Sequence, residues 1–547
     1  MKKNVLLFLF FIATLTINAQ IAPNFYWIQF TDKNNSPYSV DIPEAFLSQR
    51  ALERRARLGI VIDAYDLPVT PQYLEAVSNC GAEIVNPSKW LNGVSVRITD
   101  PAVLEAVNAL DCVASIRECP NDPKAQEAKQ HWMANELQSM ETPRATYGFY
   151  GGGSTQISQI RGDYLHGNGY WGEGMVIAVL DGGFIGADIH PAFDNMREEG
   201  RLLGTRSFVA GHPSVYDQSA HGCSCLSTMA AYVPDTFVGT APKASYYLLM
   251  TESGDYENII EEYNWVSGAE YADSLGVDVC STSLGYINFD MSQWNHPFEH
   301  FDGHTAPMTI GAEIAASRGM LCCIAAGNEG DSWDDSCTLG IPGDAEHVLT
   351  VGAVDASGNR TWFSSVGPTY DGRIKPDIMA MGGGTYVAGY GSYYNGDGTS
   401  FATPVLAGAV TCLWQANYMA TVDEVCEAVR QCSSNAANPD NQHGYGIPNC
   451  ENAFNTLHVE DTFVHQNELI KVYPNPSQGN VRIVMKEGYH AELSVCDPLG
   501  RQLKSYHFNG LNHYSFENFL NGLSNGIYFI KAESERGSQT LKLIIAR

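Results

Sequence analysis

The chain has 547 residues, which is too long for one compact core and predicts two or three domains. It carries 32 lysine and arginine residues against 61 aspartate and glutamate residues, a formal net charge of −29. This balance argues against nucleic acid and anionic membrane as partners and is typical of a soluble exported protein.

The chain begins with the pattern of a secretory signal. Two lysines precede an apolar run from Val5 to about Ile17, and a small residue, Ala19, follows. We therefore predict a signal peptide over residues 1–19. No later segment sustains eighteen apolar residues, so we expect no membrane span in the mature protein.

Residues 20–120 are predicted to form a separate small α+β domain, because helical and strand patterns alternate along them. A polar linker, rich in Gln and Glu and finally in Gly, follows over residues 121–153, and we expect maturation cleavage there. The predicted helices cover residues 71–79 and 101–110, and the predicted strands cover residues 82–85, 91–98 and 112–116.

Two segments of the middle region carry groups suited to proton transfer. The continuous apolar run of residues 176–180 is typical of a buried parallel strand, and it ends in Asp181. His221 stands at the start of a small-residue helix. Taken singly, Asp181 also fits a turn or a ribose-binding carboxylate, and His221 fits a surface or capping role.

A second apolar run, residues 320–326, predicts another buried strand. The amide of Asn328 would project from the end of this strand into the same crevice as Asp181. An oxyanion donor in such a place is worth about 10²–10³ in turnover. An asparagine between glycines is also a common turn former.

Residues 398–404 read Gly-Thr-Ser-Phe-Ala-Thr-Pro and set Ser400 at a glycine-introduced helix start, with Pro404 expected in the first turn. Unpaired N–H groups and partial positive charge at a helix N-terminus would stabilise an alkoxide or oxyanion there. A simple helix cap is the alternative. The chain order Asp181, His221, Ser400 favours a serine nucleophile with its base and orienting carboxylate.

These segments together resemble the subtilases, the subtilisin-like serine endopeptidases, over roughly residues 150–455. The resemblance implies an α/β domain, placed at residues 154–457, in which a parallel sheet is flanked by helices. It implies that Ser400 is the nucleophile, His221 the general base, Asp181 the residue that orients the imidazole, and Asn328 the oxyanion donor.

The same resemblance implies how substrate is bound. In subtilases a Ser-Leu-Gly strand pairs with the substrate backbone as an added β-strand. A glycine at the base of the first specificity pocket would leave it roomy and uncharged, which predicts a preference for large apolar residues on the acyl side of the cut. The residues so implied are Ser283, Leu284 and Gly285 on one wall, Ile324, Ala325 and Ala326 on the other, and Gly340 at the base.

Cysteine usage leaves several readings open. Export would permit disulfides, and Cys426 and Cys432 are close enough in sequence to pair. Cys223 replaces the usual residue after the histidine motif and predicts sensitivity to heavy metals or oxidation. A metal site on Cys223 and Cys225 lacks further ligands in the sequence.

The predicted chemistry requires no cofactor. Subtilases often bind calcium, and acidic side chains are candidates for a structural calcium site whose ligands we do not assign.

The region before the catalytic domain resembles the small ferredoxin-like propeptide that chaperones and inhibits subtilases, with residues 88–96 as the best local match. This resemblance implies a zymogen whose first partner is its own propeptide. The alternative is a stable accessory domain that is never removed.

Residues 468–547 read as short strands separated by turns, which predicts a small β-sandwich. Residues 472–476, 497–501 and 525–528 resemble the C-terminal sorting domain of type IX secretion substrates. This implies recognition by the type IX secretion machinery, export through the periplasm and outer membrane, and a secreted or surface-attached product. A substrate-binding sandwich is the alternative.

Two other functional classes compete with a peptidase that hydrolyses protein or peptide substrates. The first is a catalytically silent surface adhesin built on a subtilase scaffold, which the intact set of Asp181, His221, Asn328 and Ser400 disfavours. The second is an esterase of the α/β-hydrolase type, in which the serine comes first in sequence within Gly-x-Ser-x-Gly, whereas Ser400 comes last.

Overall fold

A computed structural model of the chain provides the structure. It describes residues 25–120, 148–330, 337–389, 391–458, 470–473, 481–485, 490–509, 513–516, 523–534 and 537–545. The predicted signal peptide and most of the predicted linker lie outside the described residues.

The N-terminal domain is a four-stranded antiparallel sheet with two helices on one face. Its strand order, β2-β3-β1-β4, together with the βαββαβ sequence of elements, is ferredoxin-like. An additional helix, α1, lies in the long connection between β1 and α2. The elements are β1 (Phe25–Phe30), α1 (Gln49–Leu58), α2 (Pro71–Asn79), β2 (Glu83–Ser88), β3 (Gly93–Arg97), α3 (Pro101–Asn108) and β4 (Val113–Cys119).

Strand β1 is apolar on both faces, and the two faces have different neighbours because alternate side chains point to opposite sides of a sheet. Tyr26 and Ile28 pack beneath α2 and α3 in the core of the small domain. Phe25 and Trp27 pack against the catalytic domain, where the Trp27 ring stacks on Tyr263 with centroids 4.3 Å apart. The N-terminal domain therefore completes an apolar core that belongs to the catalytic domain.

The catalytic domain is built on a seven-stranded sheet with strand order β13-β12-β11-β10-β5-β9-β6, and all its strand pairs are parallel. Most of these strands are apolar and buried along their whole length, as expected of a parallel sheet covered on both faces. The strands are β5 (Val176–Asp181), β6 (Leu202–Ser207), β9 (Ser245–Met250), β10 (Val279–Thr282), β11 (Leu321–Ala325), β12 (Leu349–Val354) and β13 (Ile378–Met381); β7 (Tyr232–Val233) with β8 (Phe237–Val238), and β14 (Thr385–Gly389) with β15 (Ser392–Gly396), form two small hairpins.

Helices cover both faces of this sheet. Ile177 and Val179 of β5 belong to one core cluster, which contains the long helix α10, and Val176, Ala178 and Leu180 belong to the other, which contains α8. The helices are α4 (Ser154–Gln159), α5 (Gly162–Gly167), α6 (Asp194–Glu198), α7 (His221–Ala230), α8 (Ile260–Leu275), α9 (Pro307–Ser317), α10 (Thr399–Ala416), α11 (Val422–Gln431) and α12 (Cys450–His458), with short 3-10 helices at Pro43–Ala45, Pro191–Phe193, Ser292–Trp294 and Phe298–His300.

The C-terminal region forms two antiparallel sheets, of three strands (β16-β17-β20) and four strands (β19-β18-β21-β22). Ile470 and Ile483 from one sheet share a core with Leu493 and Ile530 from the other, so the region is a small β-sandwich. The strands are β16 (Ile470–Tyr473), β17 (Val481–Met485), β18 (His490–Cys496), β19 (Gln502–Asn509), β20 (His513–Phe516), β21 (Gly526–Ser534) and β22 (Gly537–Ile545).

The cysteines are free thiols in this structure. Cys426 of α11 packs in the core, whereas Cys432 follows the end of that helix, with its Sγ 3.3 Å from the hydroxyl of Thr456. The pairing that their spacing in the sequence would allow is not formed. Among the described residues, no helix is long and apolar enough to cross a membrane.

Candidate active site

Asp181 and His221 meet at the carboxyl edge of the sheet. Asp181 is the last residue of β5 and is fully buried, and His221 is the first residue of α7. The carboxylate oxygen Oδ1 of Asp181 lies 2.8 Å from Nδ1 of His221 and also accepts a hydrogen bond from the backbone N–H of Gly182. This contact fixes the orientation of the imidazole at its Nδ1 edge.

The close approach depends on Gly222. A Cβ at that position would lie 2.6 Å from the carbonyl oxygen of Gly183 and 2.8 Å from Cβ of Asp181. Since real side chains do not tolerate such distances, only glycine allows the first turn of α7 to pack directly on the end of β5.

Ser400 is the second residue of α10, and Gly398, with φ of +155°, precedes the helix. Pro404 is the sixth residue of the helix, in the second turn and not in the first as the sequence suggested. Because proline has no N–H, it cannot donate to the carbonyl of Ser400 four residues earlier. That carbonyl accepts instead from the hydroxyl of Ser283 at 2.7 Å and from the thiol of Cys225 at 3.3 Å.

The hydroxyl of Ser400 donates a 3.3 Å hydrogen bond to the carbonyl oxygen of Ser283. Ser400 and His221 line the same cavity, and Cys225 touches both residues. The structure therefore brings Asp181, His221 and Ser400 to one place.

Asn328 faces the start of α10 from the end of β11. Its side-chain oxygen accepts hydrogen bonds from the backbone N–H of Thr399 at 2.9 Å and from the Thr399 hydroxyl at 3.0 Å. With the oxygen held in this way, the amide nitrogen Nδ2 lies on the other side, 3.8 Å from the position that a Cβ of Gly398 would take. The side chain thus presents N–H donors beside Ser400.

A cavity of about 480 Å³ opens at this edge of the sheet, and Asp181, His221 and Ser400 form part of its wall. Among the residues implied for substrate binding, five line the cavity: Ser283, Leu284, Gly285, Ala325 and Gly340. Ile324 and Ala326 are buried in the core on the α8 side of the sheet instead, beside Trp265 and Tyr286. Gly340 packs against Gly285, since a Cβ on Gly285 would lie 3.2 Å from its Cα.

The cavity also contains residues that sequence reasoning missed. Gly327, Glu329 and Phe289 line it, and so do three further acidic residues from other loops, Glu252, Glu257 and Asp290. Gly327 could have been found, because it lies between Ala325 and Asn328 in the same motif. The three further acidic residues come from loops after β9 and β10, where no sequence pattern indicated a site.

Cys225, and not Cys223, is the thiol that contacts the imidazole. Its Sγ lies 3.9 Å from Nδ1 and 3.8 Å from Nε2 of His221, because residues four apart on a helix share one face. Cys223 is buried on another face and donates to the carbonyl of Ala388. The sensitivity to heavy metals that the sequence predicted at Cys223 is therefore a prediction for Cys225.

The electrostatic surroundings of His221 favour its protonated form. Burial lowers the pKa of the imidazole, but the charge and hydrogen bond of Asp181, together with Cys225, raise it by more. The net effect holds the pKa of His221 well above its ordinary value of 6.5.

Comparison with known proteins relates this arrangement to a family. A model described as the subtilase family, Peptidase_S8, matches residues 172–446, which is half of the chain. The chain belongs to the subtilase family. It is a serine endopeptidase of that family, and these matches do not support the adhesin alternative.

Bacterial subtilases are among its relatives. The serine protease AprX of Bacillus subtilis (strain 168) is 32% identical over 331 residues, covering 55% of this chain and 70% of AprX. Subtilisin NAT of Bacillus subtilis subsp. natto is 32% identical over 349 residues, covering 61% and 74% of the two chains. A subtilisin of Bacillus pumilus is 35% identical over 267 residues, covering 46% and 81%.

The flanking domains of this subtilase match families as well. A peptidase S8 propeptide domain of Bacteroidota matches residues 25–133, and a secretion system C-terminal sorting domain matches residues 471–546. The chain is therefore a zymogen-type subtilase with a type IX sorting domain, exported for secretion or attachment to the cell surface.

Proposed function

We propose that this subtilase hydrolyses peptide bonds through an acyl-enzyme on Ser400. The observation that carries the proposal is the convergence of the Ser400 helix start, the hydrogen-bonded Asp181–His221 pair and the Asn328 amide on one cavity wall. The nucleophile, its base and an oxyanion donor are what acyl transfer requires.

In the proposed cycle, Oγ of Ser400 attacks the scissile carbonyl while His221 takes its proton at Nε2 and passes it to the leaving amine. Water then attacks the acyl-enzyme, with His221 again taking the proton at Nε2, and His221 returns a proton to Oγ of Ser400 as the acyl group leaves. Asp181 keeps the Nδ1 proton of His221 directed toward its own carboxylate and stabilises the imidazolium. The N–H donors of Asn328 stabilise the tetrahedral oxyanion.

The test compares the wild type with Ser400→Ala. The variant should lose casein hydrolysis and labelling by a fluorophosphonate probe, because no other group replaces the nucleophile. Ser357→Ala, which alters an exposed serine in the turn after β12, is the matched control and should keep both. A wild type that neither cleaves nor labels after its propeptide is removed would contradict the proposal.

We further propose that Ser283, Leu284 and Gly285 pair with the substrate backbone and that the pocket beside Ala325 and Gly340 takes a large apolar residue on the acyl side of the cut. Support comes from the two facing glycines, Gly285 and Gly340, which leave the lining without bulky side chains at that point. In a peptide library, Phe, Tyr, Leu or Met should dominate this position. A profile dominated by Arg, Lys or Asp would show that the pocket assignment is wrong.

A further inference from the structure

Arginine side chains of helix α1 reach the base of the catalytic sheet, at the edge opposite to the active site. Arg50 donates from Nη2 to the carbonyl oxygen of Gly174 and from Nε to that of Gly276, both at 2.9 Å, and Arg54 donates to that of Val277. Gly174 lies just before β5, and Gly276 and Val277 lie just before β10. Helix α1 therefore supplies hydrogen-bond donors to the chain where it enters two neighbouring strands that lead to the active site.

Two buried carboxylates of the catalytic domain take their cationic partners from the N-terminal domain. The side chain of Asp278 is 1% exposed and pairs with Arg50 and with Arg57, whose Nη2 lies 3.5 Å from Oδ1. Asp273, which is fully buried, has three such partners: Arg54, Arg55 and Lys89. Among the described residues, no cation of the catalytic domain lies within ion-pair distance of either carboxylate. Because all of these pairs must break together, they oppose separation of the two domains chiefly by slowing it.

Aromatic contacts extend the interface from helix α8 to the far end of helix α10. Phe25, Trp27 and Trp90 are at most 5% exposed in the core that they share with α8. The guanidinium of Arg57 lies over the ring of Tyr418, 3.8 Å from its centroid, just after α10 ends. Separation would expose these surfaces to water, and a buried aromatic side chain covers about 150–250 Å².

We propose that the N-terminal domain stays bound to the catalytic domain after the linker is cut, as a permanent structural subunit of the active peptidase. Hydrolysis of one linker peptide bond consumes one water, leaves a new carboxylate and a new amine, and breaks none of the contacts of α1. Those contacts lie at the base of the sheet, so they leave the cavity at its carboxyl edge open to substrate. Retention rests on the interface alone, whereas activity of the retained complex rests on the proposed role of Ser400.

Retention is tested on the full chain carrying Ser400→Ala, which should not cut itself, with the recognition sequence of a sequence-specific protease placed within residues 121–147. After complete cutting, the two fragments should elute together from a size-exclusion column in equal amounts. They should do so at nanomolar concentration and in high salt, because buried ion pairs are screened much less than exposed ones. Elution of the N-terminal fragment on its own would overturn the proposal.

The contribution of α1 is tested on the same cut chain, immobilised through its C-terminal sandwich so that loss of bound mass reports release of the N-terminal fragment. Arg54→Ala should speed release by about 30-fold or more, because it truncates one member of a buried hydrogen-bonded charge pair. Arg50→Ala, whose wild-type side chain is 33% exposed, is a milder second variant and should speed release by a smaller factor. Arg97→Ala alters an exposed ion pair of the same domain and is the matched control, with an unchanged rate. Equal release rates in all three variants would overturn the proposal.

Activity of the complex is measured on the chain that retains Ser400, after it has matured. Column fractions that contain both fragments should hydrolyse casein and bind a fluorophosphonate probe. Labelling confined to material that has lost the N-terminal fragment would overturn the proposal, because the domain would then be an inhibitor that must leave. Fragments that stay together but are labelled in no fraction would confirm retention and count against Ser400 as the nucleophile.

Discussion

At the scale of single residues, the pair of Asp181 and His221 predicts how activity depends on pH. His221 must be neutral to accept a proton, and its pKa lies well above 6.5 because Asp181 and Cys225 outweigh the effect of burial. Activity should therefore fall as pH decreases through this raised pKa.

Asp181→Asn removes the charge that raises the pKa of His221. In a profile of kcat/KM against pH, the acidic midpoint of the variant should move to lower pH, because the imidazolium loses its stabilising partner. The plateau should fall by up to about 10⁴, as the imidazole tautomer is no longer held. Cys225→Ser is a useful comparison, since it keeps Asp181 and should shift the midpoint less. An unchanged midpoint in Asp181→Asn would contradict this account of His221.

At the scale of elements, helix α1 forms a buried polar link between the N-terminal and catalytic domains. Arg54 and Arg55 are almost fully buried and pair with Asp273 of α8, and Lys89 reaches the same carboxylate at 3.1 Å. Burial raises the pKa of Asp273, but Lys89, Arg55 and Arg54 lower it by more, to about 2. Because this lies below the ordinary value of 3.8, the pairs stabilise the contact at pH above 3.8, and that contribution is lost as pH falls toward 2.

Arg54→Ala should reduce the free energy of unfolding of the Ser400→Ala chain by about 3–5 kcal/mol, because it leaves Asp273 buried with an incomplete set of partners. Arg97→Ala is the control: its pair with Glu83 is exposed and should contribute at most about 1 kcal/mol. Urea unfolding followed by tryptophan fluorescence measures both. Equal effects of the two substitutions would show that the buried network does not hold the domains together.

The sequence predicts some of these elements better than others. The strands before Asp181 and Asn328 are continuous apolar runs, and the structure has them as β5 and β11. Helix α1 escaped prediction because its arginines resemble an exposed surface. Their burial depends on carboxylates brought to them by the fold: Asp66, eleven residues from Arg55, and Asp273, 219 residues from Arg54. The place of Cys225 beside His221 follows from helical spacing, but its second contact, with the carbonyl of Ser400, depends on the fold.

At the scale of the whole molecule, the apolar cores show which parts depend on each other. Phe25, Trp27 and Trp90 of the N-terminal domain share a core with α8 and α9 of the catalytic domain. The described residues of the C-terminal sandwich instead have a core of their own. The N-terminal domain is thus part of the packing of the catalytic domain, whereas the sandwich supplies its own apolar interior.

The point at which β4 ends has a kinetic consequence. The side-chain amide of Asn258 donates to the carbonyl oxygens of Cys119 and Pro120, and its neighbour Glu257 lines the active-site cavity. Pro120, the last described residue before the linker, therefore lies at the rim of the cleft. Because the linker and Ser400 belong to one chain, we expect a high effective concentration of one for the other. Cleavage in this segment would then be first-order, with a half-life that dilution does not lengthen.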